Sequence, residues 1–358
     1  MTQPPPIRNP KLNRPVSRRT AVLMILACAA VMLIGPLALY RRIEYGFERY
    51  HSRGRELLPT SGVNRWGFNL NPLLVDRDDL VVPKTPRKDD IPALVNPAFG
   101  SVDEAGFEPE GHVIGVTLHG QSRAWPIPVL NWHCVVNDTL AGEPLLIVYS
   151  SMAGMATVCS RRAGGEALEF GISGLVYQCN LVLFDRRRDP NAESLWSMSR
   201  LRAISGPAAA AGRVLEPIDC DVLPLKEWMR LHPDSTVMTR YTNYEMGYEP
   251  AFLYAPPNPG EDAGLFDLPP SPAKERLKAS RPDLAWCSPV VVVIGPKSSR
   301  RGYPFADVFA AAGGLKDEID GVPFRLFRSG GDVPGVRMET TSPLRRVYMD
   351  WSLWTALD

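Results

Sequence analysis

Short apolar runs separated by turn-forming residues constrain the fold of this chain more than any other feature of its sequence. The runs include HVIGVTLHG, QSRAWPI, PLLIVYS, ALEFGIS, LVLFDRR and TVMTRY, with Gly, Pro or Asn between them. The chain contains 35 Pro and 29 Gly, which break long helices and favour turns. Short apolar runs bounded by turns are typical of strands. We therefore expect a strand-rich domain with few helices, of which Leu223–His232 has the clearest helical spacing.

Two segments of the chain resemble each other when they are aligned with a gap of one residue. The first is Val113–Ser150 and the second is Val291–Ser329. The matched pairs are Arg123 with Arg301, Pro126 with Pro304, Asp138 with Asp317, Gly142 with Gly321 and Pro144 with Pro323. Each segment predicts a β-β-α-β unit, so we expect a pseudo-symmetric α+β domain in which two repeated units share one core.

The composition of the chain indicates how large a core it can bury and which kinds of partner its charge can attract. The chain has 358 residues, of which 45% are hydrophobic, enough for one large core or two ordinary ones. Its 40 basic and 39 acidic residues leave a net charge of +1. A nearly neutral protein has no long-range field to attract a polyanion, so we expect no nucleic-acid partner.

The N-terminus predicts a membrane anchor. Residues 1–20 are basic and contain no acid, and the next segment, Ala21–Tyr40, is an uncharged and mainly apolar run long enough to span a bilayer. A cleaved signal peptide is the alternative, but the run is longer than the usual apolar core of such peptides and Tyr40 is followed by two arginines. We expect a single-pass protein of the cytoplasmic membrane, with the domain outside the cytoplasm.

The remaining boundaries follow from proline and charge. Residues 41–90 are polar and interrupted by prolines, which predicts a stalk, and residues 91–358 form the domain. Within it, Gly260–Pro282 is rich in proline and charge and predicts an exposed insertion. Five cysteines follow the apolar run, and none forms a Cys-x-x-Cys pair, so the spacing predicts neither a zinc ribbon nor a thioredoxin-type dithiol and assigns no disulfide.

The stretch NWHCVVND, Asn131–Asp138, and the loop that opens in IVYSSMAGMATVCSR, Ile147–Arg161, carry the candidate site. A histidine beside a cysteine, followed by a loop with two methionines, is a pattern in which a metal or redox protein places ligands. The sequence contains no Gly-x-Ser-x-Gly, phosphate loop, His-Glu-x-x-His or dinucleotide fingerprint. Because these motifs are absent, none of them supports an assignment as an enzyme.

At these residues the chain resembles DUF3179, a bacterial and archaeal family of unknown function. The matching stretches are IPAL (91–94), VIGV (113–116), SRAWPIPVL (122–130), HCVVND (133–138), FGISGLVYQCNLVLFDRR (170–187), SLWS (194–197), AISGP (203–207) and WMRLHPDS (228–235). The resemblance implies an extracytoplasmic domain without an established activity. Members of the family commonly have His-Glu where this chain has His133-Cys134, and a Cys-Pro-Leu-Cys-like loop where it has Ser150–Ala153.

Two interpretations of this divergent site remain open. A set of His133, Cys134, Met152 and Met155 would suit copper(I) or another soft metal, because thiolate and thioether are soft donors. Alternatively, the methionines fill space vacated by the cysteines, and His133 is a hydrogen-bonded structural residue. The first interpretation predicts metal handling or thiol redox chemistry. The second predicts a module that binds a ligand or a protein partner and has a degenerate ligand site.

Three further residues complete the candidate set. Ser150 stands at the first cysteine position of the loop. Arg123 can contact an anion or form a structural ion pair with Asp138 or Asp317, and the second is favoured because Arg301 occupies the matching position. Asp185, in LFDRRR, fits a turn or pairing residue better than an acid catalyst.

Overall fold

The computed structural model describes residues 56–57, 67–82, 86–178, 180–244, 247–248, 281, 283–285, 287–330 and 334–357. No helix in these ranges is both long and apolar enough to cross a membrane. The predicted anchor at Ala21–Tyr40 and nearly all of the Gly260–Pro282 insertion lie outside the described residues, so both stay predictions.

Strands dominate the described ranges, as predicted. The strands are β1 (Glu56–Leu57), β2 (Leu80–Val82), β3 (Leu94–Val95), β4 (Phe99–Gly100), β5 (His112–Leu118), β6 (Gln121–Pro126), β7 (Val135–Leu140), β8 (Glu143–Ser150), β9 (Met155–Ser160), β10 (Arg162–Ala163), β11 (Glu166–Ala167), β12 (Phe170–Tyr177), β13 (Asn180–Asp185), β14 (Leu195–Ser197), β15 (Arg202–Ala203), β16 (Pro217–Ile218), β17 (Asp221–Pro224), β18 (Thr236–Met238), β19 (Pro289–Ile294), β20 (Arg300–Pro304), β21 (Leu315–Ile319), β22 (Val322–Arg328), β23 (Val336–Thr340) and β24 (Arg345–Asp350).

The helices are short. They are α1 (Val102–Ala105), α2 (Ile127–His133), α3 (Gly206–Ala210), α4 (Leu225–Leu231), α5 (Phe305–Ala310) and α6 (Trp351–Ala356), with 3-10 turns at Arg77–Asp79 and Pro190–Ala192. The helix predicted at Leu223–His232 is confirmed as α4, and it begins two residues later because Leu223 and Pro224 still belong to β17.

An eight-stranded sheet is the centre of the fold. Its order is β20-β19-β24-β9-β8-β7-β3, with β16 paired to β9. A six-stranded sheet (β1-β2-β12-β13-β14-β15), a five-stranded sheet (β17-β5-β6-β18-β4) and a three-stranded sheet (β21-β22-β23) accompany it. Both faces of β8 are covered: Ile147 and Tyr149 pack into one apolar cluster, and Leu146 and Val148 into another. A strand buried on both faces is continuously apolar, which explains the run PLLIVYS.

The two similar segments have the same order of elements, strand-strand-helix-strand-strand. The first contains β5, β6, α2, β7 and β8, and the second β19, β20, α5, β21 and β22. Each therefore has one strand more than the predicted β-β-α-β unit, and each contributes one hairpin to the eight-stranded sheet. One apolar cluster contains Ile114 and Trp125 of the first segment together with Val291 and Tyr303 of the second.

Residues 67–82, predicted as part of the stalk at 41–90, are packed into the domain instead. Strand β2 pairs with β12, and Phe68, Leu70 and Leu80 are buried in a cluster with Phe184. The prediction differs because it rested on the charged and proline-rich residues of Asp76–Pro92 and not on the apolar side chains before and among them. Burial of three large apolar side chains of this kind contributes several kcal/mol.

Candidate functional site

Helix α2 presents His133 and Cys134 at its C-terminal end. Pro126 precedes the helix and Pro128 lies in its first turn, where a missing N–H costs nothing. The helix ends at Cys134, which has φ of 57° and donates its N–H to the Leu130 carbonyl at 2.7 Å. A positive φ at a helix end is normally occupied by Gly or Asn, so Cys134 is held in a conformation that costs its backbone energy.

Both ring nitrogens of His133 have hydrogen-bond partners. The Nδ1 atom lies 2.8 Å from the carbonyl oxygen of Pro92, and the Nε2 atom lies 2.7 Å from the hydroxyl oxygen of Tyr248. A carbonyl can only accept, so Nδ1 carries the proton and Nε2 accepts from the tyrosine. The Tyr248 oxygen is then free to accept from the hydroxyl of Thr242, which is its other partner.

The surroundings keep His133 neutral. The residue is fully buried, and burial lowers the pKa of its imidazole below the ordinary value, although the Pro92 carbonyl acts in the opposite direction. The ring lies 5.1 Å from the ring of Tyr244 and 5.8 Å from that of Tyr248, centroid to centroid. Because the imidazole is neutral and doubly hydrogen-bonded, it has no lone pair available for a ligand without breaking a contact.

Aromatic side chains are exposed around His133. Trp132, the residue before it, is about half exposed, as is Tyr244, and Tyr241 is 75% exposed. Exposed aromatic side chains are a common feature of binding surfaces, and the Tyr244 ring is in contact with the His133 ring.

Cys134 belongs to a different neighbourhood. It is buried in an apolar cluster with Ala153, Met155 and Cys159, and Met152 packs against this cluster. Burial raises the pKa of the Cys134 thiol to about 12. A thiol of this pKa is protonated at neutral pH, so it is a poor nucleophile, and a metal would have to displace its proton.

The loop that follows β8 contributes little polar chemistry. Met155 is fully buried, and its sulfur accepts a hydrogen bond from the Asn180 amide at 2.9 Å. Ser150 is buried, and its hydroxyl has no hydrogen-bond partner within the described part of the chain. A buried hydroxyl without a partner costs free energy, as expected where a serine stands in a space that suits a less polar side chain.

A carboxylate that the sequence did not point to lies against this loop. Asp350 ends β24, and its backbone N–H donates to the Ala153 carbonyl at 2.9 Å. A Cβ at Gly154 would collide with the Asp350 carboxylate, so only glycine permits this approach. Burial raises the pKa of Asp350 to about 8.

The predicted ligand set is divided between two environments. Cys134, Met152 and Met155 contribute to the cluster described above, whereas the His133 ring contacts Tyr244 and Tyr248. Among the residues that the structure describes, no group of three or more His, Cys, Asp or Glu side chains is arranged to hold a metal ion. A soft-metal site would therefore have to use methionine sulfur and displace a partner of His133.

Arg123 and Asp185 make structural contacts. Arg123 pairs with Asp138 at 3.0 Å and lies 4.0 Å from the centre of the Phe99 ring. Asp185 accepts from the Ser194 backbone N–H and pairs with Arg187 at 2.8 Å. The carboxylates of Asp138 and Asp185 are both buried and already have partners.

The Asp138 arrangement has a counterpart in the second similar segment. Arg301 pairs with Asp317 at 2.7 Å, and the Tyr303 hydroxyl also donates to Asp317 at 2.7 Å. In the first segment the Trp125 indole N–H takes the place of that hydroxyl, donating to Asp138 at 3.2 Å.

A cavity of about 240 Å³ adjoins the tyrosine that holds His133. Tyr248 lines it together with Phe107, Glu108, His112, Val113, Pro126, Pro128, Arg240 and two glycines. The sequence did not predict Tyr248, His112 or Arg240 as site residues. One usable signal was the group of three tyrosines, Tyr241, Tyr244 and Tyr248, on the N-terminal side of the insertion, since aromatic residues are enriched at binding interfaces.

Comparison with known proteins identifies the family of this chain but does not identify an activity. The model of DUF3179, described as a protein of unknown function, matches residues 88–333, which is more than half of the chain. No curated protein and no solved structure matches the chain.

Proposed function

The chain belongs to the DUF3179 family, and we propose that it is a membrane-anchored binding module whose domain lies outside the cytoplasm. In this proposal the His133–Cys134 pair shapes the ligand-binding region without acting as a nucleophile or a metal centre. The observation that supports it most is the occupation of both His133 nitrogens by Pro92 and Tyr248.

The state of Cys134 supports the same conclusion. Its high pKa and its apolar neighbours disfavour thiolate chemistry, and the four described cysteines, Cys134, Cys159, Cys220 and Cys287, are all free. A thiol redox centre would need a low-pKa thiol with access to a partner.

The anchoring part of the proposal rests on the sequence. The uncharged run at Ala21–Tyr40 and the basic residues before it favour a single span with the short N-terminus inside. We further propose that the two similar segments arose by duplication, which is supported by the matched Arg–Asp pairs, Arg123 with Asp138 and Arg301 with Asp317.

Soft-metal handling is the second candidate. Its support is the burial of Cys134 and Met155 in one cluster, with Met152 packed against it. Sulfur donors in an apolar setting suit copper(I). This candidate requires the Cys134 proton to be displaced by the metal, which the apolar surroundings oppose.

Metal content and thiol reactivity test the proposal together. Full-length protein purified in detergent and its His133→Ala variant would be analysed for bound metal and titrated with copper(I), and Cys134 would be treated with iodoacetamide. We expect no stoichiometric metal and slow alkylation of Cys134 in the folded protein, with rapid alkylation after denaturation. One metal per chain that disappears in the variant would instead establish the second candidate.

A further inference from the structure

We propose that the cavity beside Tyr248 binds a small zwitterion of the apolar amino-acid class, with its carboxylate at Arg240 and its ammonium group at Glu108. This inference deepens the proposed function, because it names the ligand of the binding module. It is carried by three features of the cavity wall: opposite charges that form no ion pair among the described residues, a buried histidine without a hydrogen-bond partner in the same ranges, and four apolar side chains.

Arg240 and Glu108 provide the charges. Both line the cavity and both are exposed. Within the described ranges neither side chain forms an ion pair, with the other or elsewhere, although many of the other arginines there do so. Arg240 instead lies over the ring of Phe107 at 5.3 Å. A guanidinium held by an aromatic ring keeps its planar donors available for a carboxylate.

His112 provides an interior polar contact. It is 4% exposed, and no hydrogen bond of its ring occurs among the described residues. Most buried polar side chains have a hydrogen-bond partner. An imidazole at a cavity wall that has none within the described ranges therefore indicates that a bound ligand supplies the partner. Burial lowers the pKa of His112 to about 4, so the ring is neutral and can donate one hydrogen bond and accept another.

Four apolar side chains of the cavity wall select the other end of the ligand. They are Phe107, Val113, Pro126 and Pro128, which line the cavity together with its polar groups. These side chains match an aliphatic substituent, since apolar side chains in a pocket contact the apolar part of a ligand.

The volume sets the size of the ligand. A cavity of about 240 Å³ has room for about eight water molecules, at ~30 Å³ each. That space corresponds to an amino acid such as leucine and excludes a folded peptide or a nucleotide. An anion that carries no positive group would be repelled by the Glu108 carboxylate without a compensating attraction. The two opposite charges of the wall therefore favour a zwitterion.

Equilibrium dialysis of radiolabelled L-leucine against the full-length protein in detergent tests the inference. We expect saturable binding that weakens about tenfold or more in Arg240→Gln and in Glu108→Gln, because each substitution removes one charge contact. Arg230→Gln is the matched control, since Arg230 is also exposed but pairs with Glu227 away from the cavity, and it should bind leucine as the wild type does.

Two analogues test each end of the ligand. 4-Methylpentanoate lacks the ammonium group and 3-methylbutylamine lacks the carboxylate, and we expect both to compete at least tenfold more weakly than leucine. The inference is overturned by the absence of saturable leucine binding, by binding that Arg240→Gln leaves intact, or by equal competition from either analogue. Metal analysis of the same samples keeps the two proposals apart, because bound copper that disappears in His133→Ala would contradict the proposed function whether or not the protein binds leucine.

Discussion

The Nε2 atom of His133 lies 2.7 Å from the hydroxyl oxygen of Tyr248, a residue 115 positions further along the chain. The bond joins the end of α2 to the segment that follows β18, and Tyr248 also lines the cavity. The histidine thereby fixes the position of a residue in the proposed binding region, and this relationship explains why a buried histidine stands beside an exposed aromatic surface.

Removing the Tyr248 hydroxyl should destabilise the fold. Tyr248→Phe leaves the buried Nε2 atom of His133 and the Thr242 hydroxyl without this partner, so we expect a loss of about 1–3 kcal/mol in the free energy of unfolding. Urea unfolding followed by circular dichroism measures it. Tyr241→Phe is the control, with an expected change below about 0.5 kcal/mol because Tyr241 is largely exposed. Equal effects of both substitutions would contradict the assigned bond.

His112 should make stability depend on pH in the acidic range. Its folded-state pKa of about 4 lies below the ordinary 6.5, so the unfolded chain binds the proton more readily. Stability from this group is therefore complete above pH 6.5 and falls as the pH drops toward 4. Between about pH 7.5 and 5 we expect the wild type to lose about 2 kcal/mol relative to His112→Gln. A difference between the two proteins that does not vary with pH would show that His112 titrates normally.

Asp350 should act in the opposite direction. Its folded-state pKa of about 8 lies above the ordinary 3.8, so the folded protein holds the proton more tightly. The contribution of Asp350 to stability is then present at low pH and is lost as the pH rises from 4 to 8. We expect Asp350→Asn to gain about 3 kcal/mol over the wild type between about pH 5 and 8. The exposed Asp103→Asn serves as the control, and a flat difference for Asp350→Asn would refute its burial as a neutral acid.

The two matched Arg–Asp pairs should differ in strength. The Asp138 side chain is 5% exposed and that of Asp317 is 30% exposed, although each accepts from an arginine and an aromatic donor. Double-mutant cycles with alanine should give a coupling of about 1–3 kcal/mol for Arg123–Asp138 and below about 1 kcal/mol for Arg301–Asp317. Urea unfolding of the single and double variants supplies the values. A stronger coupling in the second pair would contradict the role of burial.

Local patterns predicted the strands and the ion pair well. The apolar runs in HVIGVTLHG and QSRAWPI correspond to β5 and β6, and α4 follows the helical spacing of LPLKEWMRLH. The match of Arg123 to Arg301 favoured a structural ion pair with Asp138 or Asp317, and in the structure the partner is Asp138. These features depend on neighbours along the chain or on a comparison within it.

The site itself depends on contacts between distant residues. Tyr248 reaches His133, and Asp350 reaches Gly154, across more than a hundred residues, and no spacing rule connects such positions. The separation of His133 from Cys134 has the same origin, because Cys134 takes a positive φ at the helix end and its side chain enters a different cluster. Their adjacency in the sequence suggested a joint ligand set, and it did not reveal that the two side chains have different neighbours.

The most direct test of the account is the protonation and ligation state of His133 in solution. Full-length protein labelled with nitrogen-15 in its 5 histidines would be studied by long-range nitrogen–proton correlation, with and without equimolar copper(I), and His133 assigned through His133→Asn. We predict a neutral ring protonated at Nδ1 whose signals copper(I) leaves unchanged. A protonated Nε2, or loss of the His133 signals on addition of copper(I), would contradict the account and favour a metal site.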